Sequence, residues 1–306
     1  MDESSRVGVC SRSFSRNETL RKEILDRHYA VKFNESGLSF DSSSLIEFLE
    51  DCTAAIIALE RISEEVLCQL PNLEAISKFG VGLNNIDLVA CEKYNVRVGW
   101  TAGVNSSAVA ELAIIMMLSL LRKVPESQHH VLRGGWQQVV GRQLAKATVG
   151  LIGCGNVGKE VVKLLQPFQA EVVAFDILPD REFSEEYGVR FVDLYSLLES
   201  SDVVSLHIPL TDENRDFMSP SRIRLLKENA ILINTARGGV LNEDAALSAL
   251  KTGRLGGLGL DVLETEPPVK VDRFDDPRIL LTSHIGGSSE TAILSMGRAA
   301  IEGLQG

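Results

Sequence analysis

Basic residues are in short supply in this chain, with 31 lysines and arginines against 42 aspartates and glutamates and a formal net charge of −11. A nucleic-acid partner is therefore not expected, because a phosphate backbone calls for a basic footprint. Long apolar runs are missing as well. The longest, Leu112 to Leu121, lies between Glu111 and Arg122 and is too short to cross a bilayer, so no membrane partner is expected. The opening residues, MDESSRVGV, are polar and charged where a secretory leader would carry an apolar core. Cysteine is sparse: positions 10, 52, 68, 91 and 154 give an odd count with no C-x-x-C pair. Reduced thiols in a cytoplasmic protein are the expectation. Low-complexity and disordered stretches are absent, and a chain this acidic must build a local positive site to hold an anionic substrate.

What is present is a repeated βα pattern over 306 residues, enough for two domains. A first series of short apolar runs spans Arg6–Cys10, Ala30–Phe33, Ala54–Leu59, Leu73–Lys78 and Arg97–Trp100. Helical patterns fall between them, around Glu18–Arg27, Ser43–Glu50, Ser63–Leu70 and Leu88–Lys93. A long helix follows from about Asn105 to Arg122, with Pro125 helping to end it. The second series comprises Thr148–Ile152, Glu171–Phe175, Val203–His207, Ala230–Thr235, Gly257–Asp261 and Ile279–Ser283. A closing helix runs from about Ser288 to Leu304. Strands alternating with amphipathic helices predict parallel sheets covered on both faces, hence an α/β protein of two doubly wound domains. Crossovers near 101–105 and 284–290 would return the last helix to the first domain and make that domain discontinuous.

The segment Val149 to Gly158 reads VGLIGCGNVG, a strand entering G-x-G-x-x-G and then a helix. Gly153 permits the tight turn, Gly155 lets the backbone approach a pyrophosphate, and Gly158 lets the helix pack on the strand. Free amides at the helix start then favour the anion. The following strand ends in Asp176, about 20 residues beyond the loop, where a ribose-binding acid is expected. No Arg or Lys follows it until Arg181, so NAD is expected rather than NADP. These features assign residues 104–284 to an NAD-binding domain of Rossmann type. Residues 1–103 and 285–306 are left as a discontinuous, flavodoxin-like substrate domain.

Two strand ends in the second series carry chemistry. Arg237, in NTARGG, follows the apolar run Ala230–Ile233 and can offer a fork to a carboxylate at the ligand-binding edge of the sheet. His284, in HIGG, ends the run Ile279–Ser283. His207 also ends a strand, before Pro209, and is a rival. His129 and His130 fall on a polar helix, and His28 precedes a strand. An acidic segment, Leu260 to Pro267, offers the carboxylate that would keep an imidazole protonated near neutral pH. Spacing alone does not choose between Glu264 and Glu266.

Residues 54 to 304 resemble the D-2-hydroxyacid dehydrogenase family, in particular its phosphoglycerate dehydrogenase branch. The resemblance rests on Phe79–Asp87 (FGVGLNNID), Asn105–Leu112 (NSSAVAEL), Gly153–Gly158, Asn234–Gly239, Leu260–Pro267 and His284–Ser288, all in family order and spacing. It implies an NAD-dependent oxidoreductase interconverting a D-2-hydroxy acid and a 2-keto acid. Arg237 would bind the substrate carboxylate and carbonyl, Glu266 would orient the histidine, and His284 would transfer the proton. It also implies cofactor contacts at Val81, Asn156, Val157, Asp176, Pro209, Thr235, Ala236, Asp261 and His284 to Gly287, including Gly286, beside the loop glycines. The implied substrate contacts are Lys78, Gly80, Gly82 and Asn105 together with Arg237. A homodimer through Asn105–Arg122 and the Gln128–Val140 segment is the expected assembly, with no metal.

Departures from the family pattern bear on the substrate. Where phosphoglycerate dehydrogenases carry an Arg-Ser pair to hold the phosphate, this chain reads Ile56-Ile-Ala-Leu-Glu60. Lys78 replaces a usual Arg, and Trp100 a usual Asn. A phosphorylated substrate is therefore not expected to be preferred, although Lys78 can still meet an anion as a point charge. The alternative in another class is an NAD(H)-sensing interaction protein similar to the C-terminal-binding-protein corepressors, which share the scaffold and the three residues. A same-fold enzyme acting on formate or phosphite is a further alternative.

Overall fold

A computed structural model describes residues 6–27 and 30–305 of the protein; His28 lies outside the described residues. The chain forms two compact units, Met1–Asn105 with Gly287–Gly306, and Ser106–Gly286.

In chain order the first unit contains β1 (Arg6–Val9), α1 (Arg12–Arg16), α2 (Glu18–Leu25), β2 (Ala30–Phe33), α3 (Ser42–Leu49) and β3 (Ala54–Ile57). It continues with α4 (Glu64–Leu67), β4 (Ala75–Lys78), α5 (Leu88–Lys93) and β5 (Arg97–Gly99). The strands pair in parallel in the order β2-β1-β3-β4-β5. This is the flavodoxin-like order, whose direction of winding reverses between β1 and β3. Side-chain caps set the helix starts: Ser11, Asn17, Asp41 and Asp87 each accept a first-turn amide. One sheet face buries Leu45, Leu49, Ile62, Val66 and Ile76. The other buries Val7, Val9, Phe14, Leu20 and Ile24 together with Met296, Ala300 and Ile301 of the C-terminal helix.

The second unit runs through α6 (Ser106–Leu121), α7 (Val124–Leu132), β6 (Thr148–Ile152), α8 (Asn156–Leu165), β7 (Glu171–Phe175), α9 (Arg181–Tyr187) and β8 (Arg190–Phe191). It continues with α10 (Leu194–Ser200), β9 (Val203–Leu206), α11 (Pro220–Ile223), β10 (Ala230–Asn234), α12 (Glu243–Lys251), β11 (Leu255–Leu260) and β12 (Ile279–Leu281). Its strands are parallel in the order β12-β11-β10-β9-β6-β7-β8, with the reversal between β6 and β9. Helices α6 and α8 cover one face, and α10 and α12 the other.

The last helix, α13 (Glu290–Gly303), returns to the first unit. Arg298 forks onto Glu23, and Arg97 donates to the carbonyls of Gly303 and Leu304 at 2.8 and 2.6 Å. A Cβ at Gly99 would lie 2.2 Å from the Gly303 carbonyl oxygen, so only glycine lets strand and helix end approach this closely.

Several boundaries differ from the sequence reading. Most strands stop one or two residues earlier, because ladder pairing ends before the apolar run does; β3 closes at Ile57 and β12 at Leu281. The five-residue α1 and the two-residue β8 are too short to show a period. Pro125 does not end the long helix. Lys123 adopts φ 55° after it, and Pro125 sits in the first turn of α7, where a missing N–H costs nothing.

Candidate active site

The functional geometry of the second unit lies at the carboxyl edge of the seven-stranded sheet, and its glycine loop fits a dinucleotide. Gly153 sits at φ +94°, and a Cβ there would meet the His207 carbonyl oxygen at 2.7 Å, so the turn after β6 needs glycine on both counts. A Cβ at Gly158 would come within 2.4 Å of the Gly153 carbonyl, whereas Gly155 faces open space. Asn156 and Val157 begin α8, whose first turn has no side-chain cap. Asp176 follows β7, and its carboxylate accepts the Cys154 amide at 2.7 Å and the Leu178 amide at 2.9 Å. The acid is thus fixed against the glycine loop.

Next along the edge stand His207 and Thr235, in register one step beyond the Leu206–Asn234 pair of β9 and β10. Both ring nitrogens of His207 and the hydroxyl of Thr235 are buried and meet no hydrogen-bond partner among the described residues. Burial pushes the imidazole down to about 4, so His207 is neutral at physiological pH. Buried polar atoms left without protein partners at the ligand-binding edge of an α/β sheet suit a polar ligand. Ala236 has its amide on Asn234 Oδ1, and the exposed Pro209 accepts from Asn214.

Arg237 follows this row, half-buried, with Nη1 donating to the Ala236 carbonyl at 2.6 Å. Burial lowers its affinity for the proton, and the Glu266 carboxylate opposes that. A Cβ at Gly238 would overlap the Leu263 carbonyl at 1.9 Å, so this glycine brings the Arg237 turn against the 263–266 segment. There the Leu263 amide donates to Glu266 Oε1 at 2.9 Å, while Glu266 Oε2 lies 2.7 Å from His284 Nδ1. Glu264 is not in this contact; its amide donates to the buried Glu243 instead. With Nδ1 turned to a carboxylate, Nε2 is the nitrogen available to a substrate.

His284 has φ +56°, an uncommon backbone for a residue with a side chain. Asp261 holds it there. The Asp261 carbonyl accepts the His284 amide, and its carboxylate accepts Thr282 Oγ1, the Ile285 amide and the Gly286 amide at 2.6 to 2.8 Å. Sequence reading missed three supporting residues. Thr282 fixes Asp261, Asn234 donates to the Arg237 carbonyl, and Glu243 anchors the acidic segment. Thr282 and Asn234 are polar residues at or beside an apolar strand end, which is the signal that was available; Glu243 opens helix α12 and gave no such signal.

The remaining sequence-derived positions, Lys78, Gly80, Val81, Gly82, Asn105 and Gly287, belong to the first unit. Lys78 is buried and donates to the Ala58 carbonyl and to Asn85 Oδ1. Asn85 also donates to the carbonyls of Ala58 and Glu60, at 3.2 and 2.6 Å. Gly80 takes φ +128°, and the Val81 carbonyl accepts the Trp100 indole N–H at 2.8 Å. The side-chain amide of Asn105 lies where a Cβ on Gly287 would come within 2.9 Å of it.

Residues 114–286 match the family model "D-isomer specific 2-hydroxyacid dehydrogenase, NAD binding domain". The chain is similar to a glyoxylate reductase of Thermococcus litoralis, at 31% identity over 88% of this chain and 85% of the relative. It is also similar to a D-3-phosphoglycerate dehydrogenase of Archaeoglobus fulgidus, at 35% identity over 79% of this chain but only 46% of the relative. A D-lactate dehydrogenase of Aquifex aeolicus, solved with NAD and lactic acid, superposes with a TM-score of 0.84 at 25% identity, covering 98% and 94% of the two chains. The chain therefore belongs to the D-isomer specific 2-hydroxyacid dehydrogenase family and is an NAD-dependent oxidoreductase of 2-hydroxy acids.

Proposed function

We propose that the protein reduces a small, unphosphorylated 2-keto acid to the D-2-hydroxy acid, with His284 as proton donor, Glu266 as its partner and Arg237 as the substrate anchor. The observation that carries this reading is the 2.7 Å contact between His284 Nδ1 and Glu266, in the same strand-end cluster as Arg237. The glycine loop, Asp176 and Thr235 would hold the dinucleotide, which supplies hydride to the carbonyl carbon when bound. Arg237 offers its fork to the substrate carboxylate and polarises the neighbouring carbonyl, orienting the reacting group and stabilising charge that develops on oxygen. Nε2 of the imidazolium then gives its proton to that oxygen, while Glu266 on Nδ1 steadies the charged ring.

Lack of a phosphate is argued from the first unit, where Ile57 and Ala58 supply no cation and Lys78 donates to the Ala58 carbonyl and to Asn85. A homodimer is part of the proposal, supported by the exposed Ile115, Leu132, Trp136 and Val140. So is a cytoplasmic setting, supported by five unpaired cysteines. Among the described residues no helix is long and apolar enough to cross a membrane.

The test is a screen of NADH oxidation with glyoxylate, hydroxypyruvate, pyruvate and 3-phosphohydroxypyruvate. The proposal expects an unphosphorylated acid to lead. A preference of about a hundredfold for the phosphorylated one, near 2.7 kcal/mol, would overturn it.

A further inference from the structure

One buried carboxylate of the second unit takes no part in the proposed proton transfer. Glu243 opens α12, directly after its cap Asn242, and is 6% exposed. Burial pushes its carboxyl above the ordinary value, against the pull of the Glu264 amide that it accepts. Arg273 stands 3.8 Å from it and closer to Asp244, at 2.7 Å. A buried carboxylate without a close cation is costly, and an apolar side chain would serve the core better if packing were its only task. What Glu243 holds is a single peptide. Its Oε1 accepts the Glu264 amide at 2.5 Å, and the carbonyl of that same peptide, on Leu263, is the one pressed against Gly238. The Leu263–Glu264 peptide is thus fixed on both sides, its N–H by Glu243 and its C=O by the glycine. Leu263 in turn gives its own amide to Glu266 Oε1 at 2.9 Å, and Glu266 Oε2 meets His284 Nδ1 at 2.7 Å.

We propose that Glu243 is a positioning residue for the reduction: by holding the Leu263–Glu264 peptide it aims the Leu263 amide at Glu266, and so sets the carboxylate that orients His284. The inference rests on the proposed reaction and deepens it. The bond from an amide to a carboxylate is charge-assisted and short, which suits a fixed point in an otherwise exposed loop. A cavity borders Glu243, Leu263, Glu264 and Thr265, which leaves the segment room to turn once that bond is gone. Displacing a positioned group by about 1 Å can cost roughly a hundredfold in rate, so a residue that touches neither substrate nor cofactor can still govern kcat.

The test is a double-mutant cycle in the full-length protein, read as NADH oxidation with the 2-keto acid that ranks first in the screen above. Glu243→Asp keeps the charge but falls short of the Glu264 amide. It should lower kcat by about tenfold, with KM and NADH affinity within about threefold of wild type. Glu243→Gln keeps the reach and an acceptor oxygen, and should recover most of that loss. In a Glu266→Ala background no carboxylate is left to aim, so Glu243→Asp should lower kcat by less than about twofold. An equal loss in both backgrounds would show a general structural role, and a loss in Glu243→Gln as deep as in Glu243→Asp would show that charge matters instead of reach. Either result, or full activity in Glu243→Asp, removes Glu243 as a positioning residue and leaves the reductase reading intact. No NADH oxidation with any 2-keto acid removes the reading itself, and this inference with it.

Discussion

The two sheets end in differently built carboxyl edges. At the five-stranded edge the Ala58 peptide is engaged on both sides, with Lys78 and Asn85 on its carbonyl and Glu60 on its amide, and the Ser77 hydroxyl is the buried side-chain group there without a partner among the described residues. At the seven-stranded edge several remain open: both nitrogens of His207 and the hydroxyl of Thr235 have no partner among the described residues, and only Nδ1 of His284 is engaged. An unpaired buried polar group costs stability, typically about 1–3 kcal/mol. Three such atoms, on His207 and Thr235, fall side by side at the seven-stranded edge, where a bound dinucleotide can complete them. At the five-stranded edge Lys78, Asn85 and Glu60 are spent on one peptide of the protein itself.

The contrast is broken most forcefully at His284. His284→Ala should lower kcat for keto-acid reduction by roughly two to four decades, the usual contribution of a positioned acid. Titration of protein fluorescence with NADH should show affinity near normal. A loss confined to NADH affinity would make His284 a cofactor residue instead.

His207 gives the next effect, in stability against pH. Its folded value of about 4 lies below the ordinary 6.5, so the unfolded chain takes the proton first. The stability that depends on a neutral His207 is complete above pH 6.5 and is lost as pH falls from there to about 4, by up to about 3 kcal/mol. Urea midpoints measured across that window should fall in wild type and stay flatter in His207→Gln. Equal slopes would mean that the ring is accessible to protons in the fold.

A matched pair of substitutions sharpens the comparison between the edges. Asn85→Ala removes two donors and an acceptor from a satisfied network and should cost about 1–3 kcal/mol of unfolding free energy. Thr235→Val removes a hydroxyl that no described residue bonds, and should cost little or nothing while weakening NADH binding. Equal losses of stability from both would erase the distinction drawn here.

The smallest expected effect concerns cofactor choice. Asp176→Asn keeps an acceptor for the Cys154 amide but removes the charge that repels a 2′-phosphate. The ratio of kcat/KM for NADH over NADPH should narrow by about tenfold.

Much of this was legible in the chain, and the reason is local. The strand into Gly153-Cys-Gly155, Asp176 after its strand, and Arg237 and His284 after theirs are each an apolar run followed by a functional residue, so period and position place them together. What sequence could not supply was tertiary. By spacing Glu264 and Glu266 look alike in an acidic loop; the family resemblance points to Glu266, and the approach of Gly238 to Leu263, with Glu266 bonded to the Leu263 amide, brings that carboxylate to His284. The contacts of Lys78 with Asn85 and the Ala58 carbonyl join residues far apart in the chain, so sequence position gave no sign of them. Short elements such as α1 escaped because five residues carry no period.

The central claim is that His284, held by Glu266, is the acid that completes reduction, and kcat for 2-keto acid reduction in two Glu266 variants tests it most directly. Glu266→Gln retains a side-chain oxygen for His284 Nδ1, whereas Glu266→Ala leaves that nitrogen without its partner. Glu266→Ala should lower kcat by about tenfold or more, with NADH affinity near normal, and Glu266→Gln should recover part of the loss. Full activity in Glu266→Ala would contradict the account and show that another group positions the proton donor.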